Sequence, residues 1–209
     1  MSMKYPETEK LGSLTVEEAN NIIFMIDTYA KDSTMSEVLL HPDTIAAIEE
    51  VVRAVKKNTK TNFMGFKARG DELTLKIINP GDVKKSGTAL TTWDFSATAG
   101  LDWFESDTTD APITLGEDEG RVYIAFADPV ANPLAIAVQV EIGGDLVVGQ
   151  TLNFRLVDGD KAPIIRLGEP WKLKPEKAYR IQVRYEGSGT DRLTPIAIKI
   201  GKASAMLTV

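Results

Sequence analysis

Residues 134–157, LAIAVQVEIGGDLVVGQTLNFRLV, decide the fold class of this chain. Large apolar residues occupy every second position before Gly143-Gly144-Asp145 and again towards the end of the stretch. They are Ile136, Val138, Val140, Ile142, Leu152, Phe154 and Leu156. Period-two alternation on both sides of a glycine turn predicts a β-hairpin with one buried face.

Short hydrophobic segments separated by turn residues flank this hairpin on both sides. We predict strands at 63–68, 73–78, 89–96, 101–104, 113–115, 121–127, 164–167, 171–173, 179–185 and 195–200. Arg69-Gly70-Asp71 is interpreted as a hairpin turn, because Gly-Asp favours tight turns. This pattern predicts a mainly β chain, folded as an antiparallel β-sandwich of jelly-roll-like form.

The N-terminal segment has helical rather than strand periodicity. Apolar residues recur every three or four positions within 16–30 and again within 43–57. We therefore predict an N-terminal α-helical pair in residues 1–60, serving as a docking or assembly element, and a β-sandwich domain in 61–209. The pair has more apolar surface than two helices need, so the surplus is expected to pack on the β domain or on another chain.

The composition excludes several classes of site. The chain has no cysteine, which removes disulfides, thiolate metal sites and cysteine nucleophiles, and its single histidine, His41, is interpreted as a loop or helix-cap residue. No apolar run reaches the roughly 18 residues needed to span a bilayer, and the N-terminus lacks a secretory apolar core. We expect a soluble protein made in the cytoplasm, with no membrane contact, cofactor or metal.

Charge is segregated along the sequence. Residues 101–150 carry ten acidic side chains and one basic one, whereas residues 151–209 carry eleven basic and six acidic ones. Blocks of opposite sign can pair between neighbouring strands of one monomer or between subunits. Both alternatives are open from the sequence.

The acidic residues concentrate in the segment 105–119, ESDTTDAPITLGEDE. A solvated acidic loop is the favoured interpretation, with a calcium site or a catalytic carboxylate pair as alternatives. Trp93 and Trp103 lie just upstream and keep a carbohydrate site open as an alternative.

Basic side chains alternate with apolar ones in the last strands. Arg180 and Arg184 point away from the apolar side of 179–185, and Lys172 and Lys199 alternate with apolar neighbours in the same way. If these strands are neighbours, the four form a basic plate. An acidic protein partner fits it better than nucleic acid, because no aromatic residues interleave and the net charge is −6.

The absence of a catalytic set, the spare apolar helical surface and the segregated charge favour a non-enzymatic structural subunit. We expect self-association into a homo-oligomer and contact with other structural proteins, through Arg180, Arg184, Lys199 and Lys172 with Asp107 and Asp110. A virus or phage particle component (capsid, cement or connector protein) is the most concrete version, and it places the protein in a virus particle. The alternatives are a carbohydrate- or ligand-binding β-sandwich module with Trp93, Trp103 or Trp171 as a stacking platform, and a hydrolase using 105–119.

Overall fold

The computed structural model describes residue 46 and residues 73–128, 130–154 and 164–202. Thirteen β-strands lie in these ranges. They are β1 (Leu73–Ile77), β2 (Lys84–Lys85), β3 (Thr88–Ala89), β4 (Phe95–Ala97), β5 (Gly100–Glu105), β6 (Ile113–Thr114), β7 (Glu119–Ala127), β8 (Ala135–Ile142), β9 (Asp145–Thr151), β10 (Ile164–Leu173), β11 (Ala178–Tyr185), β12 (Gly189–Asp191) and β13 (Thr194–Lys202). Short 3-10 turns lie at Pro80–Asp82 and Thr108–Asp110.

Two antiparallel sheets make up the architecture. The first sheet has the strand order β1-β13-β7-β10, and the second sheet has the order β5-β11-β8-β9, with β6 also paired to β11. Two small ribbons, β4 with β12 and β2 with β3, complete the described strands. The chain is therefore mainly β and consistent with a β-sandwich, as the alternation predicts.

The core lies between the two sheets. Phe104 of the second sheet meets Phe126 of the first edge to face, with ring centroids 5.8 Å apart, and Phe126 in turn contacts Trp171 at 5.9 Å. All three side chains are buried. Every residue from 120 to 128 is also buried, so β7 is covered on both of its faces.

The central hairpin forms as predicted, with β8 paired to β9 from Ile142 and Asp145 to Ala137 and Thr151. Gly143 and Gly144 both have positive φ, 64° and 93°, which gives a two-residue turn of the type that matches strand twist. The second strand ends at Thr151, earlier than the alternation indicates. Phe154 is nevertheless buried and its neighbour Asn153 is exposed, as the pattern predicts.

Several strand boundaries differ from the sequence prediction. The single strand predicted at 89–96 is two short strands, β3 and β4, because the Thr92 hydroxyl accepts the Asp94 amide (3.0 Å) and turns the chain locally. The two strands predicted at 164–167 and 171–173 are one strand, β10, with a register shift between Arg166 and Trp171. Strand β12 falls between the strands predicted at 179–185 and 195–200, where no strand was predicted.

The predicted N-terminal elements lie outside the described residues, apart from Ala46, which is helical and exposed. His41, the strand predicted at 63–68 and the Arg69-Gly70-Asp71 turn lie outside them as well. Within the described ranges, no helix is long and apolar enough to cross a membrane.

Candidate functional site

The outer face of the second sheet carries most of the exposed features that the sequence singled out. Side chains opposite each other across antiparallel strands share a face, so the register orders this surface into rows. One row runs Leu101, Arg184, Ala137 and Thr151, and the next runs Trp103, Gln182, Gln139 and Gly149. A third joins Arg180, Glu141 and Leu146. We call this surface the outer face.

Two leucines stand out on the outer face. Leu101 and Leu146 are each 63% exposed, and they are the large hydrophobic residues that the described ranges leave most open to solvent. Leu101 lies on β5 and Leu146 on β9, the two end strands of the second sheet in the described path. An apolar side chain therefore stands at each edge of a four-strand surface.

Arg180 occupies the centre of an intramolecular cluster on this face. Its guanidinium bonds the Glu141 carboxylate at 2.8 Å and donates to the Asp110 carbonyl at 3.0 Å. The guanidinium carbon also lies 4.5 Å from the centroid of the Trp103 ring, in cation–π geometry. Arg180 and Asp110, both predicted as partner-binding residues, thus meet inside one chain.

The predicted basic plate does not form. Strand β11, with Arg180 and Arg184, belongs to the second sheet, whereas Lys172 and Lys199 lie on β10 and β13, on either side of β7 in the first sheet. Lys199 is opposite Arg121 and Lys172 is opposite Val122, so the two lysines point to opposite faces. The plate was predicted on the condition that these strands are neighbours, and that condition is not met.

Among the described residues, at least three ion pairs join the two charge blocks within the monomer, one of them Arg180 with Glu141. Lys199 lies 3.5 Å from Asp82 and 3.4 Å from Glu119. Lys202 pairs with Asp118 at 2.8 Å. Arg184 and Lys172 are exposed, and they remain as cations available at the surface.

The acidic segment 105–119 is an ordered loop in which several carboxylates bond other groups of the chain. Asp107 accepts the Thr108 amide (2.8 Å) at the start of the 3-10 turn, and Asp110 accepts the Ser86 hydroxyl (2.9 Å). The loop packs closely on the β2–β3 turn, since a Cβ built on Gly87 would lie 2.5 Å from Thr108. The Asp107 and Asp110 carboxylates therefore both accept hydrogen bonds from their own chain.

Glu105, counted with the acidic loop in the sequence, is fully buried between the sheets. Its carboxylate bonds Arg121 and Tyr123 of β7, and it accepts the Tyr179 hydroxyl of β11 at 2.8 Å. Arg121 is also held by Glu119 at 3.0 Å. The result is an ion pair with two phenols that joins the two sheets through the core.

The electrostatics of this cluster keep its charges fixed. Burial raises the pKa of Tyr123 and of Tyr179 well above the usual range, and the Glu105 charge raises both pKa values further. Burial is the largest single influence on Arg121 and lowers its pKa, but Glu105, the two tyrosines and Glu119 together outweigh it, so the pKa of Arg121 lies above its usual range. The phenols remain neutral donors and the arginine remains charged, which suits a structural role rather than proton transfer.

A second buried acidic feature escaped the sequence analysis. Asp128, directly after β7, and Asp191, the last residue of β12, are both fully buried. Asp191 accepts the amides of Leu134 (3.3 Å) and Ala135 (3.1 Å). Asp128 accepts the Val130 amide at 3.3 Å through one oxygen. We call Asp128 and Asp191 the carboxyl pair.

Burial raises the pKa of Asp128 to about 8, and the negative charge of Asp191 contributes to the rise. Burial, followed by the Asp191 charge, also raises the pKa of Tyr185 at the end of β11. No local sequence signal could have found this pair, because the two residues are 63 positions apart. Each looks like an ordinary turn aspartate.

The tryptophans do not form an open stacking platform. Trp93 and Trp171 are buried, and Trp103 is half-buried beneath the Arg180 guanidinium. In the described ranges, no group of three or more acidic, histidine or cysteine side chains is arranged to hold a metal ion.

Comparisons with known proteins add little. No family model and no curated protein matches the chain. Among solved structures, dimeric latent PorU from Porphyromonas gingivalis matches at a TM-score of 0.28 and 18% identity, over 63% of this chain and 12% of that one. A ruminal GH26 endo-beta-1,4-mannanase matches at a TM-score of 0.30 and 12% identity, over 61% and 26%. Similarity at this level carries no argument about fold or function.

Proposed function

We propose that this chain is a non-enzymatic structural subunit that associates with copies of itself in a larger particle or ring, through the outer face. The exposed leucines Leu101 and Leu146 at the two edges of that face carry the proposal. Isolated surface leucines are common, but edge strands usually carry charge or proline that discourages pairing with other chains. Apolar residues at both edges of one sheet favour a contact that buries the whole face.

The remaining composition of the outer face also suits a protein contact. Ala137 and Gly149 are small, and Gln139 and Gln182 bond each other across β8 and β11. Arg184 is exposed in the same row as Leu101 and Ala137. Protein interfaces are enriched in tryptophan and arginine and depleted in lysine and glutamate at their cores, and Trp103 with Arg180 and Arg184 fits that composition.

The charge argument for assembly is weaker than the sequence indicated, because several of the opposite charges pair within the chain. The association proposed here therefore rests on the apolar edges. A virus or phage particle component (capsid, cement or connector protein) remains the most concrete form of the proposal. A jelly-roll arrangement is its finer structural version, supported by the two packed antiparallel sheets.

Two observations disfavour the alternatives. A carbohydrate-binding module would use an open aromatic surface, whereas Trp103 has its ring occupied by Arg180 and the other two tryptophans are buried. A hydrolase on 105–119 would need two carboxylates converging in an open pocket. Instead, Glu105 is buried on Arg121, and Asp107 and Asp110 bond within their loop.

The test is the solution mass of the purified chain by light scattering over a range of concentrations. We expect a mass above the 22.8 kDa monomer that falls on Leu101→Lys or Leu146→Lys. Thr190→Lys is the matched control, because Thr190 is exposed on β12, which pairs with β4 and lies outside the second sheet, so its mass should equal that of the wild type. A wild-type chain that stays monomeric at every concentration contradicts the proposal.

A further inference from the structure

The carboxyl pair lies in the inner layer at one end of the two sheets. Asp128 is two residues after Phe126, which faces the core, so its side chain points to the same inner side. Asp191 is anchored by two amides at the start of β8, Leu134 and Ala135. The pair therefore connects the end of β7 with β12 and the first residues of β8.

Two carboxylates cannot both stay charged in this setting without a compensating positive charge. In the described ranges, neither Asp128 nor Asp191 has a lysine or arginine partner. The adjacent Arg192 points to the surface and holds Asp94 at 2.7 and 3.1 Å. Burying an unpaired carboxylate is so costly that such a group takes up a proton instead.

The surrounding groups do not supply that compensation. On β11, Tyr185 is buried, and its hydroxyl has no hydrogen-bond partner among the described residues. On β5, Asp102 adds a negative charge, which Lys85 neutralises at 2.6 Å. On β13, Thr194 offers a neutral hydroxyl, opposite Ala127.

One carboxylate oxygen of the carboxyl pair lacks a hydrogen-bond partner among the described residues. Asp128 Oδ2 is buried and, within the described ranges, has no hydrogen-bond partner. Both oxygens of Asp191 already accept amides, so a proton on Asp128 Oδ2 would turn the orphan acceptor into a donor to Asp191. A bound metal ion is a poorer account, because calcium takes about six to eight oxygen ligands and, in the described ranges, no group of three or more acidic or histidine side chains is arranged to hold a metal.

We propose that Asp128 and Asp191 share one proton and act as a pH-sensitive latch that closes this end of the β-sandwich when protonated and loosens it when the proton leaves to solvent. In the closed form, Asp128 donates to Asp191, which holds Leu134 and Ala135 at the start of β8. In the open form, two buried negative charges repel each other across β7 and β12. This inference does not depend on the proposed function.

The direction of the pH effect follows from the pKa of Asp128, about 8 in the folded chain against about 3.9 in an unfolded one. The folded state binds the extra proton between these values, so the stabilisation is complete below about pH 4 and is lost as pH rises through about 8. Above that pH both carboxylates are charged and the latch is open.

The experiment compares thermal unfolding of the full chain and of Asp128→Asn between about pH 5 and pH 9. The Asn variant keeps a donor to Asp191 but has no proton to lose. We expect the unfolding temperature of the wild type to fall relative to that of Asp128→Asn as pH rises from about 5 to about 8, and to level off above that pH. Asp145→Asn, an exposed carboxylate at the start of β9, should follow the wild type at every pH.

Infrared spectroscopy provides a second readout, which detects the proton directly. A protonated carboxyl band present at neutral pH should disappear above about pH 8 and be absent from Asp128→Asn. Parallel stability curves for wild type and Asp128→Asn, or no such band at neutral pH, overturn the proposal. Stabilisation of the wild type by calcium at about pH 9, absent in Asp128→Asn, also overturns it, because the pair would then hold a cation.

Discussion

At the scale of single residues, the core contains a buried carboxylate, Glu105, whose negative charge is compensated by its partners. Glu105 is fully buried and relies on Arg121 for charge and on the two phenols for hydrogen bonds. A buried ion pair contributes little net stability over an apolar replacement, but removal of one partner leaves an uncompensated charge. The cluster connects the two sheets, and the loss of one member should cost more than the intact cluster contributes.

Arg121→Met should accordingly destabilise the fold by about 3–5 kcal/mol, because it leaves the Glu105 carboxylate buried without a positive partner. Chemical denaturation measures the effect. Arg192→Met is the matched control, since the Arg192–Asp94 pair is partly exposed (30% and 43%) and should contribute at most about 1 kcal/mol. Adding Glu105→Gln to Arg121→Met should recover part of the loss, and a double variant no more stable than the single one would contradict this account.

At the scale of elements, turns with positive φ fix the strand register. Gly143 and Gly144 form a two-residue turn, and an L-residue in that region of φ and ψ costs about 1–2 kcal/mol. The space around both glycines is open, with no heavy atom within 4 Å of a Cβ built there. The requirement for glycine is therefore conformational rather than steric.

Gly144→Ala should thus destabilise the chain by about 1–2 kcal/mol through the backbone alone. Gly116→Ala is the control, because Gly116 also has open space and does not have positive φ. Gly143→Asn should cost less than Gly144→Ala, since asparagine tolerates this conformation. Equal unfolding midpoints for the two alanine variants would show that the turn does not constrain the hairpin.

The sequence predicted most of these elements because their alternation is local. Strands β1, β5, β7, β8, β11 and β13 were found close to their observed bounds, since each places apolar side chains at every second position. Strand β12 was missed because Gly189 and Thr190 read as a turn, and only the pairing with β4 makes the segment a strand. Whether such a segment forms a strand depends on contacts between residues far apart in the sequence, which a local pattern does not show.

The same limit explains the site residues. Glu105 looked solvated in the sequence because its neighbours are polar, yet it ends β5 with its side chain in the core. The basic plate failed because strand order is not encoded in alternation, and β7 separates β10 from β13. The Asp191 carboxylate is placed by long-range hydrogen bonds from the amides of Leu134 and Ala135, which no local sequence pattern predicts.

At the scale of the whole molecule, the segregated charge now has a structural explanation. The acidic and basic blocks lie on neighbouring strands and pair there, as in Arg180 with Glu141 and Lys199 with Glu119. The two arginines first predicted to bind a partner are therefore not equivalent. Arg180 is bonded within its own chain, to Glu141 and Trp103, whereas Arg184 is exposed beside Leu101 on the outer face.

Charge reversal separates the two roles. Arg180→Glu should lower the stability of the monomer by about 1–2 kcal/mol, because it removes a partly exposed ion pair and the contact with Trp103 and places two carboxylates side by side. Arg184→Glu should leave unfolding within about 0.5 kcal/mol of the wild type, as surface substitutions usually do. If the outer face is the contact between subunits, Arg184→Glu should nevertheless reduce the solution mass.

Denaturation and light scattering on the same two variants, at about 0.1 M and about 1 M salt, distinguish these outcomes. Because the proposed contact is mainly apolar, raising the salt should change the mass of the wild type little, whereas the deficit of Arg184→Glu should shrink as its charge is screened. If Arg180→Glu and Arg184→Glu destabilise the chain equally, Arg184 also makes stabilising contacts within the monomer. An unchanged mass for Arg184→Glu, together with unchanged masses for Leu101→Lys and Leu146→Lys, would exclude the outer face as the contact between subunits.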